Sequence, residues 1–193
     1  MQYTKRIVTP PAAEPVSLAE AKLHLRDPNA AEDALVTTLI KAAREYCEGV
    51  LNRALITQTW DMFIDCWPSD GVIYAPMAPL VSVTHVKYVD EAGTLQTLGA
   101  PAYQVDKDVE PGRVLPAYGY TWPTLRPSYS SAVQVRFVAG YGADGTFVPQ
   151  NIKQAILLAI GHWYENREDS VVGTIVATLP KAVDALLWQE RVY

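Results

Sequence analysis

With two cysteines and three histidines, this sequence has little material for a metal or redox site. Cys47 falls in a helical pattern and Cys66 in a strand pattern, and the two lack the spacing of metal ligands. His24, His85 and His162 lie on three separate elements, and none has a second metal-binding residue at ligand spacing beside it. The sequence therefore predicts reduced thiols and no metal or other cofactor.

Long apolar runs are also missing. Met1 to Pro15 has no apolar segment of the kind that a signal peptide needs, and no stretch is apolar for long enough to span a bilayer. These absences predict synthesis in the cytoplasm and no membrane partner.

The sequence also has no surplus of basic residues. Lys and Arg number 16 and Asp and Glu 21, for a formal net charge of -5. Because proteins that bind nucleic acid usually present a basic face to the phosphates, this balance argues against specific DNA binding. What the sequence does have is 49% hydrophobic residues, enough for a core that needs no disulfides.

Four stretches have the residue pattern of helices. Ser17-Leu-Ala-Glu20 forms a capping box ahead of a short helix. Apolar residues then recur at helical spacing from Leu35 to Val50, and again from Ile152 to Trp163 behind Pro149. A last short helix is predicted around Val183. Helices are therefore predicted towards both ends of the chain.

The middle of the chain reads as strands, because β-branched and aromatic residues alternate there with turn signals. The predicted strands are Ile56–Trp67, Val72–Tyr74, Val81–Val89, Thr94–Leu98, Tyr103–Val105 and Val133–Val138. Their connections are too short for helices, so the sheet should be mainly antiparallel. A further β-branched stretch runs from Val171 to Leu179. The predicted fold is α+β, a single domain over 1–193 whose helical core, 16–53 and 149–190, encloses a β-rich insertion at 55–140.

One motif points to an enzyme. Gly140-Tyr-Gly-Ala-Asp-Gly145 matches the G-x-G-x-x-G pattern of dinucleotide-binding folds. However, the next helix is predicted to begin about four residues beyond Gly145, and the preceding strands read as hairpins rather than βαβ units. We interpret the segment as a glycine-rich turn. Since no nucleophile, base or carboxylate pair has the spacing of a catalytic site either, no enzymatic activity is predicted.

Aromatic residues in loops are more informative. The chain has 11 Tyr and 5 Trp, and Tyr118, Tyr120 and Trp122 share one turn-rich loop. Aromatic side chains in loops offer a large contact area with a polar tip, as protein interfaces use them. Tyr118, Tyr120 and Trp122 are therefore candidate residues of a subunit interface.

The order of several segments resembles the phage head–tail connector (adaptor) family of long-tailed phages and gene transfer agents. The similar stretches are Glu14–Lys22, Ala43–Tyr46, Leu55–Trp60, Pro79–Val83, Pro116–Gly119 continuing to Pro123, Val135–Gly142, Val148–Ala155 and Gly161–Glu168. They extend over nearly the whole chain, from about Glu14 to Arg191. None is specific alone; their order and spacing carry the resemblance.

This resemblance implies a structural subunit of the virion neck. It implies a dodecameric ring between the portal protein and the stopper or tail-terminator protein, assembled in the bacterial cytoplasm and completing a channel through which DNA passes without specific binding. It also implies that the C-terminal segment reaches the portal. The positions this gives for portal binding are Val183, Leu187, Trp188, Arg191 and Tyr193.

Two alternatives stay open at this stage. One is another neck or tail-completion binding module with a related helical core. The other is a nucleotide-dependent enzyme that uses the turn from Gly140 to Gly145.

Overall fold

Four α-helices and eight β-strands follow one another in residues 2–26, 29–166 and 181–192, which the computed structural model describes. The helices are α1 Leu18–Leu25, α2 Asp33–Leu51, α3 Gln150–Glu165 and α4 Lys181–Trp188. The strands are β1 Thr4–Thr9, β2 Gln58–Ile64, β3 Ile73–Tyr74, β4 Leu80–Val89, β5 Leu95–Thr97, β6 Tyr103–Asp106, β7 Arg113–Pro116 and β8 Val133–Ala139. All the strand pairs are antiparallel, and the predicted α+β fold with an inserted β-rich region is confirmed. The stretch from Val171 to Leu179 lies outside the described residues.

The chain divides into two compact units. A helical unit consists of Ala12–Ile56 and Tyr141–Arg191, and a β unit consists of Met1–Pro11, Thr57–Gly140 and Val192–Tyr193. The two units alternate along the sequence. That the whole chain acts as one connector domain stays a prediction.

Helix α1, the first helix of the helical unit, begins at the predicted capping box. The Ser17 hydroxyl accepts a hydrogen bond from the backbone N–H of Glu20, and the Glu20 carboxylate accepts one from the backbone N–H of Ser17. These two bonds satisfy amides that the first turn of a helix leaves without partners. Lys153 on α3 donates to the same carboxylate at 2.7 Å. The Glu20 carboxylate thus both caps α1 and ties it to α3.

Helix α2 forms the centre of the helical unit. Its apolar side chains recur on one face, where Val36, Ile40, Cys47 and Leu51 are buried against α3 and α4. The buried apolar cluster contains Val16, Ala21, Val36, Ile40, Ala43, Cys47, Leu51, Leu55, Ile56, Val148, Ile152, Ala155, Ile156, Ala159, Ile160, Val183 and Leu187. Residues from both ends of the sequence therefore make one core.

A charged network lies beside that core. The Arg44 guanidinium is buried, and it donates to the carboxylates of Glu14 at 2.8 Å and Glu48 at 2.7 Å. The other oxygen of Glu48 accepts from the backbone N–H of Leu55 at 2.9 Å. Because Glu48 is also buried, the ion pair with Arg44 and the hydrogen bond from Leu55 both stabilise its charge.

The β unit contains a five-stranded sheet in the order β1-β2-β8-β4-β5 and a three-stranded sheet in the order β3-β7-β6. Strand β8 is the middle strand of the larger sheet, and its residues alternate between buried and half-buried positions. Phe137 is fully buried between Trp60 on β2 and Val83 on β4. On the opposite face, Arg136 forms two hydrogen bonds to the inaccessible carboxylate of Asp61, at 2.7 and 2.8 Å.

Replacing Glu20 with glutamine is expected to lower the melting temperature at pH 7 but not near pH 2. The hydrogen bond from Lys153, followed by those from Ser17, lowers the pKa of Glu20 from 4.5 to about 2. A carboxylate whose folded-state pKa is lowered stabilises the protein above its unfolded-state pKa, and this contribution is lost as the pH falls from about 4.5 to 2. Since Glu20 is 45% exposed, the effect should be below about 1 kcal/mol. Thermal melts across that pH range check it.

The exposed Glu91, in the turn between β4 and β5, provides the matched control for this pH series. Glu91→Gln removes one carboxylate of the same type without removing a helix cap. A Glu20→Gln difference that stayed constant from pH 7 to pH 2 would show that the Glu20 charge does not stabilise the helical unit.

Candidate functional site

The loop after β7 presents two tyrosines to solvent. The backbone N–H of Tyr120 donates to the carbonyl of Ala117 at 2.9 Å and closes a β-turn. Gly119 occupies the third position with a φ of +81°, as a type II turn requires. Tyr118 at the tip is fully exposed, and Tyr120 is about half exposed. The turn therefore holds both aromatic side chains outside the core of the β unit.

Trp122, the third candidate of this loop, has a different environment. Its ring is stacked on Trp67 with centroids 4.5 Å apart and planes 8° from parallel. The Trp122 Nε1–H donates to the carbonyl of Gly71 at 2.9 Å, and the Trp67 Nε1–H donates to the carbonyl of Pro123 at 2.7 Å. Both indole nitrogens are thus satisfied inside the β unit. We call Trp67 and Trp122 the tryptophan pair; it holds the base of the loop.

The portal-binding candidates are divided between the core and the surface. Val183 and Leu187, four residues apart on α4, are buried in the core of the helical unit. Trp188 is 67% exposed and Arg191 is also exposed. Tyr193 lies outside the described residues. Val183 and Leu187 thus fix α4 through packing, whereas the side chains of Trp188 and Arg191 lie at the surface.

Polar contacts fix the end of α4 as well. The Arg53 guanidinium, which follows α2, donates to the backbone carbonyl of Glu190. The side-chain amide of Asn151, at the start of α3, donates to the Glu190 carboxylate at 3.0 Å. The chain thus leaves the helical unit from a point that both α2 and α3 define. Sequence reasoning did not identify Arg53 or Asn151, because both partners of Glu190 are distant along the chain.

The glycine-rich segment forms turns ahead of α3, which begins at Gln150, five positions beyond Gly145. The backbone N–H of Thr146 donates to the Asp144 carboxylate at 2.8 Å. At Gly145, a Cβ atom would lie 2.2 Å from the carbonyl oxygen of Pro15. The glycine at this position is therefore explained by the close approach of two backbone segments of the helical unit.

Replacing Gly145 with alanine is expected to destabilise the helical unit by about 1 to 3 kcal/mol, because the added methyl group overlaps a backbone carbonyl that cannot rotate away. Gly49 on α2 is the matched control, since a Cβ atom there would meet nothing within 4 Å. Gly49→Ala should instead raise stability, by up to about 1 kcal/mol, through its better helix propensity. Urea denaturation of the two variants checks both signs, and equal effects would contradict the contact with Pro15.

Within 2–26, 29–166 and 181–192, no group of three His, Cys, Asp or Glu side chains is placed to hold a metal ion. Burial, and secondarily the charge of Glu48, raises the pKa of the Cys47 thiol to about 12, while Cys66 is exposed. None of the helices in these ranges is long and apolar enough to cross a membrane.

Solved structures provide the comparison with known proteins. The chain is similar to a chain in the virion of a native gene transfer agent (GTA) particle. That chain matches with a TM-score of 0.81 and 27% identity, covering 98% of this chain and 96% of its own length. More specifically, it is similar to chains in two structures of the neck. The neck of an empty GTA particle, computed with C6 symmetry, gives a TM-score of 0.79 and 27% identity. The neck of a native GTA particle, computed with C12 symmetry, gives 0.76 and 26%.

Both neck matches cover 100% of this chain and 96% of the other chain. The similarity therefore includes the helical unit and the β unit together. No protein-family model and no curated protein matches the sequence.

Proposed function

We propose that this chain is a structural head–tail connector (adaptor) subunit in the neck of a phage-like particle. In this role it forms a ring between the portal protein and the stopper or tail, and completes the channel for DNA. It acts by contact rather than by catalysis. The observation that carries the proposal is the similarity, over the full length of the chain, to chains from GTA necks computed with C6 and C12 symmetry.

Charge and interface chemistry support the same role. With a net charge of -5, a ring of these subunits repels the phosphates of passing DNA instead of binding them. A ring interface is heterologous, so each copy needs two different contact surfaces. The aromatic loop that carries Tyr118, Tyr120 and Trp122 is our proposed subunit contact, with the two exposed tyrosines as its contacting residues.

The end of α4 is our proposed portal contact. Val183 and Leu187 hold α4 in the core, and Arg53 and Asn151 hold Glu190, so the residues that follow start from a fixed position. Trp188 and Arg191 are exposed there and offer an aromatic ring and a guanidinium, two groups enriched at interface hot spots.

Electron microscopy of purified necks, in which this chain carries a small tag, tests the proposal. We expect a ring of this subunit directly below the portal, with the C-terminal segment against the portal. Necks that are complete without the chain would contradict the proposal. A position elsewhere in the tail would favour the other binding module, a tail-completion protein with a related helical core.

A further inference from the structure

We infer that the turn carrying Tyr118 and Tyr120 docks on a second copy of this chain, and that the tryptophan pair positions the turn without contacting the partner. This inference rests on the proposed ring, and it assigns one of the two surfaces that the ring needs. It also separates the roles of Tyr118, Tyr120 and Trp122, which the sequence placed together.

Exposure is the first argument. The Tyr118 side chain is fully exposed at the tip of the β-turn, and Tyr120 beside it is about half exposed. A tyrosine side chain supplies a large contact area and a hydroxyl group, while only two side-chain dihedral angles must be ordered on binding. Two exposed tyrosines separated only by Gly119 thus form a small protruding surface suited to a pocket on another protein.

The rigid base of the loop is the second argument. The tryptophan pair is stacked, and each indole N–H donates to a carbonyl of the segment that carries the other ring, Gly71 for Trp122 and Pro123 for Trp67. These contacts order the loop before any partner is present. Because ordering a loop on binding costs free energy, a loop that is already ordered binds more tightly for the same contact area.

The distribution of charged residues favours a second copy of this chain as the partner. The segment from Val114 to Leu125 contains no Asp, Glu, Lys, Arg or His. Every copy has a net charge of -5, so copies repel one another on average, and an uncharged aromatic surface is where their contact meets least repulsion. The similar chains belong to necks computed with C6 and C12 symmetry, in which identical chains repeat around an axis.

A photo-crosslinking amino acid at position 118, introduced in cells that assemble the particle, tests the partner directly. Irradiated necks should yield a covalent dimer of this chain, in which mass spectrometry locates the second attachment site on another copy. A crosslink to any other neck protein, or no crosslink in necks that contain the chain, would overturn the inference. If the wild-type chain is absent from the necks, it is the proposed function that fails.

Substitutions test the division of roles. Tyr118→Ser should reduce the incorporation of the chain into necks at least tenfold in competition with the wild-type chain, with an unchanged melting temperature. Tyr129→Ser is the matched control, since Tyr129 is exposed in the same β7–β8 connection but eleven residues beyond Tyr118 and outside its β-turn, and it should incorporate normally. Equal incorporation of Tyr118→Ser and wild type would refute the contact.

Trp67→Leu tests the positioning role. It should reduce incorporation although both tyrosines are kept, and it should speed hydrogen exchange at the Tyr120 amide, which closes the turn, while the β2–β8 amides stay protected. A purely structural role would expose the β2–β8 amides as well. Reduced incorporation with an unchanged Tyr120 amide would exclude positioning through the turn.

Discussion

Replacing Arg44 with methionine is expected to lower the free energy of unfolding by about 3 kcal/mol. Methionine fills much of the volume of arginine, so the change chiefly removes the positive charge. Glu48 would then be a buried carboxylate with one oxygen bonded to the Leu55 amide and the other without its arginine. Breaking a buried ion pair costs about 3 to 5 kcal/mol. The lower value applies here because the other two carboxylates that pair with Arg44, those of Glu14 and Glu45, reach solvent. Urea denaturation followed by far-UV circular dichroism measures the loss.

Two further variants show whether charge is the cause. Lys41→Met, on the exposed side of α2, should change stability by less than about 0.5 kcal/mol. Adding Glu48→Gln to Arg44→Met should restore part of the loss, because the amide oxygen still accepts from Leu55 and the buried carboxylate charge of Glu48 is removed. A double variant as unstable as Arg44→Met alone would show that packing, rather than the ion pair, makes Arg44 important.

Replacing Phe137 with alanine should destabilise the β unit by about 3 to 5 kcal/mol. Phe137 is fully buried in β8, which is paired on both sides, so neither neighbouring strand is an edge that could move inward and fill the cavity. Amide hydrogen exchange along β8, in native conditions, reports the change, since each of these amides exchanges only when the ladder that holds it opens.

Phe137→Leu is the control for this prediction. Leucine retains most of the apolar volume, so its cost should stay near about 1 kcal/mol. If both variants lost the same stability, the specific shape of the aromatic ring, and not the volume of the cavity, would account for the effect.

The helices could be predicted from the sequence because local signals define them. The capping box of Ser17 and Glu20 is confirmed, and α2 and α3 contain the apolar residues whose spacing predicted them. Pro149 immediately precedes Gln150, the first residue of α3. A proline is tolerated at this end of a helix because its missing N–H would have no partner in a preceding turn. These features depend on residues three or four positions apart, which are visible in any short window of sequence.

Two strands were not predicted as strands. Strand β1 was missed because its pairing with β2 joins residues more than 50 positions apart, such as Arg6 and Asp61. Strand β7 is short and ends at Pro116, a residue that cannot donate to a ladder, so it resembled a loop. Both strands are defined by a partner elsewhere in the chain, which a local pattern does not contain.

The candidate site was predictable only in part, because some of its contacts also join residues that are distant along the chain. The sequence identified Tyr118 and Tyr120 as loop aromatics, but it gave no indication that Trp67 stacks on Trp122, 55 positions further along the chain. Val183 and Leu187, spaced by four on α4, could have been recognised as core residues from that spacing alone. Their packing role follows from the helix period, whereas their link to the portal came only from the resemblance.

The alternation of the two units along the sequence affects how the protein is made. Helices α1 and α2 emerge from the ribosome early, but α3, against which they pack, follows only after about 100 further residues, which takes roughly 5 to 20 s at 5 to 20 residues per second. During that time the apolar side of α2 lacks its native cover. Strands β1 to β8 of the β unit are all synthesised before α3. A nascent chain stalled before α3 should therefore engage chaperones through α2, with its strands already paired.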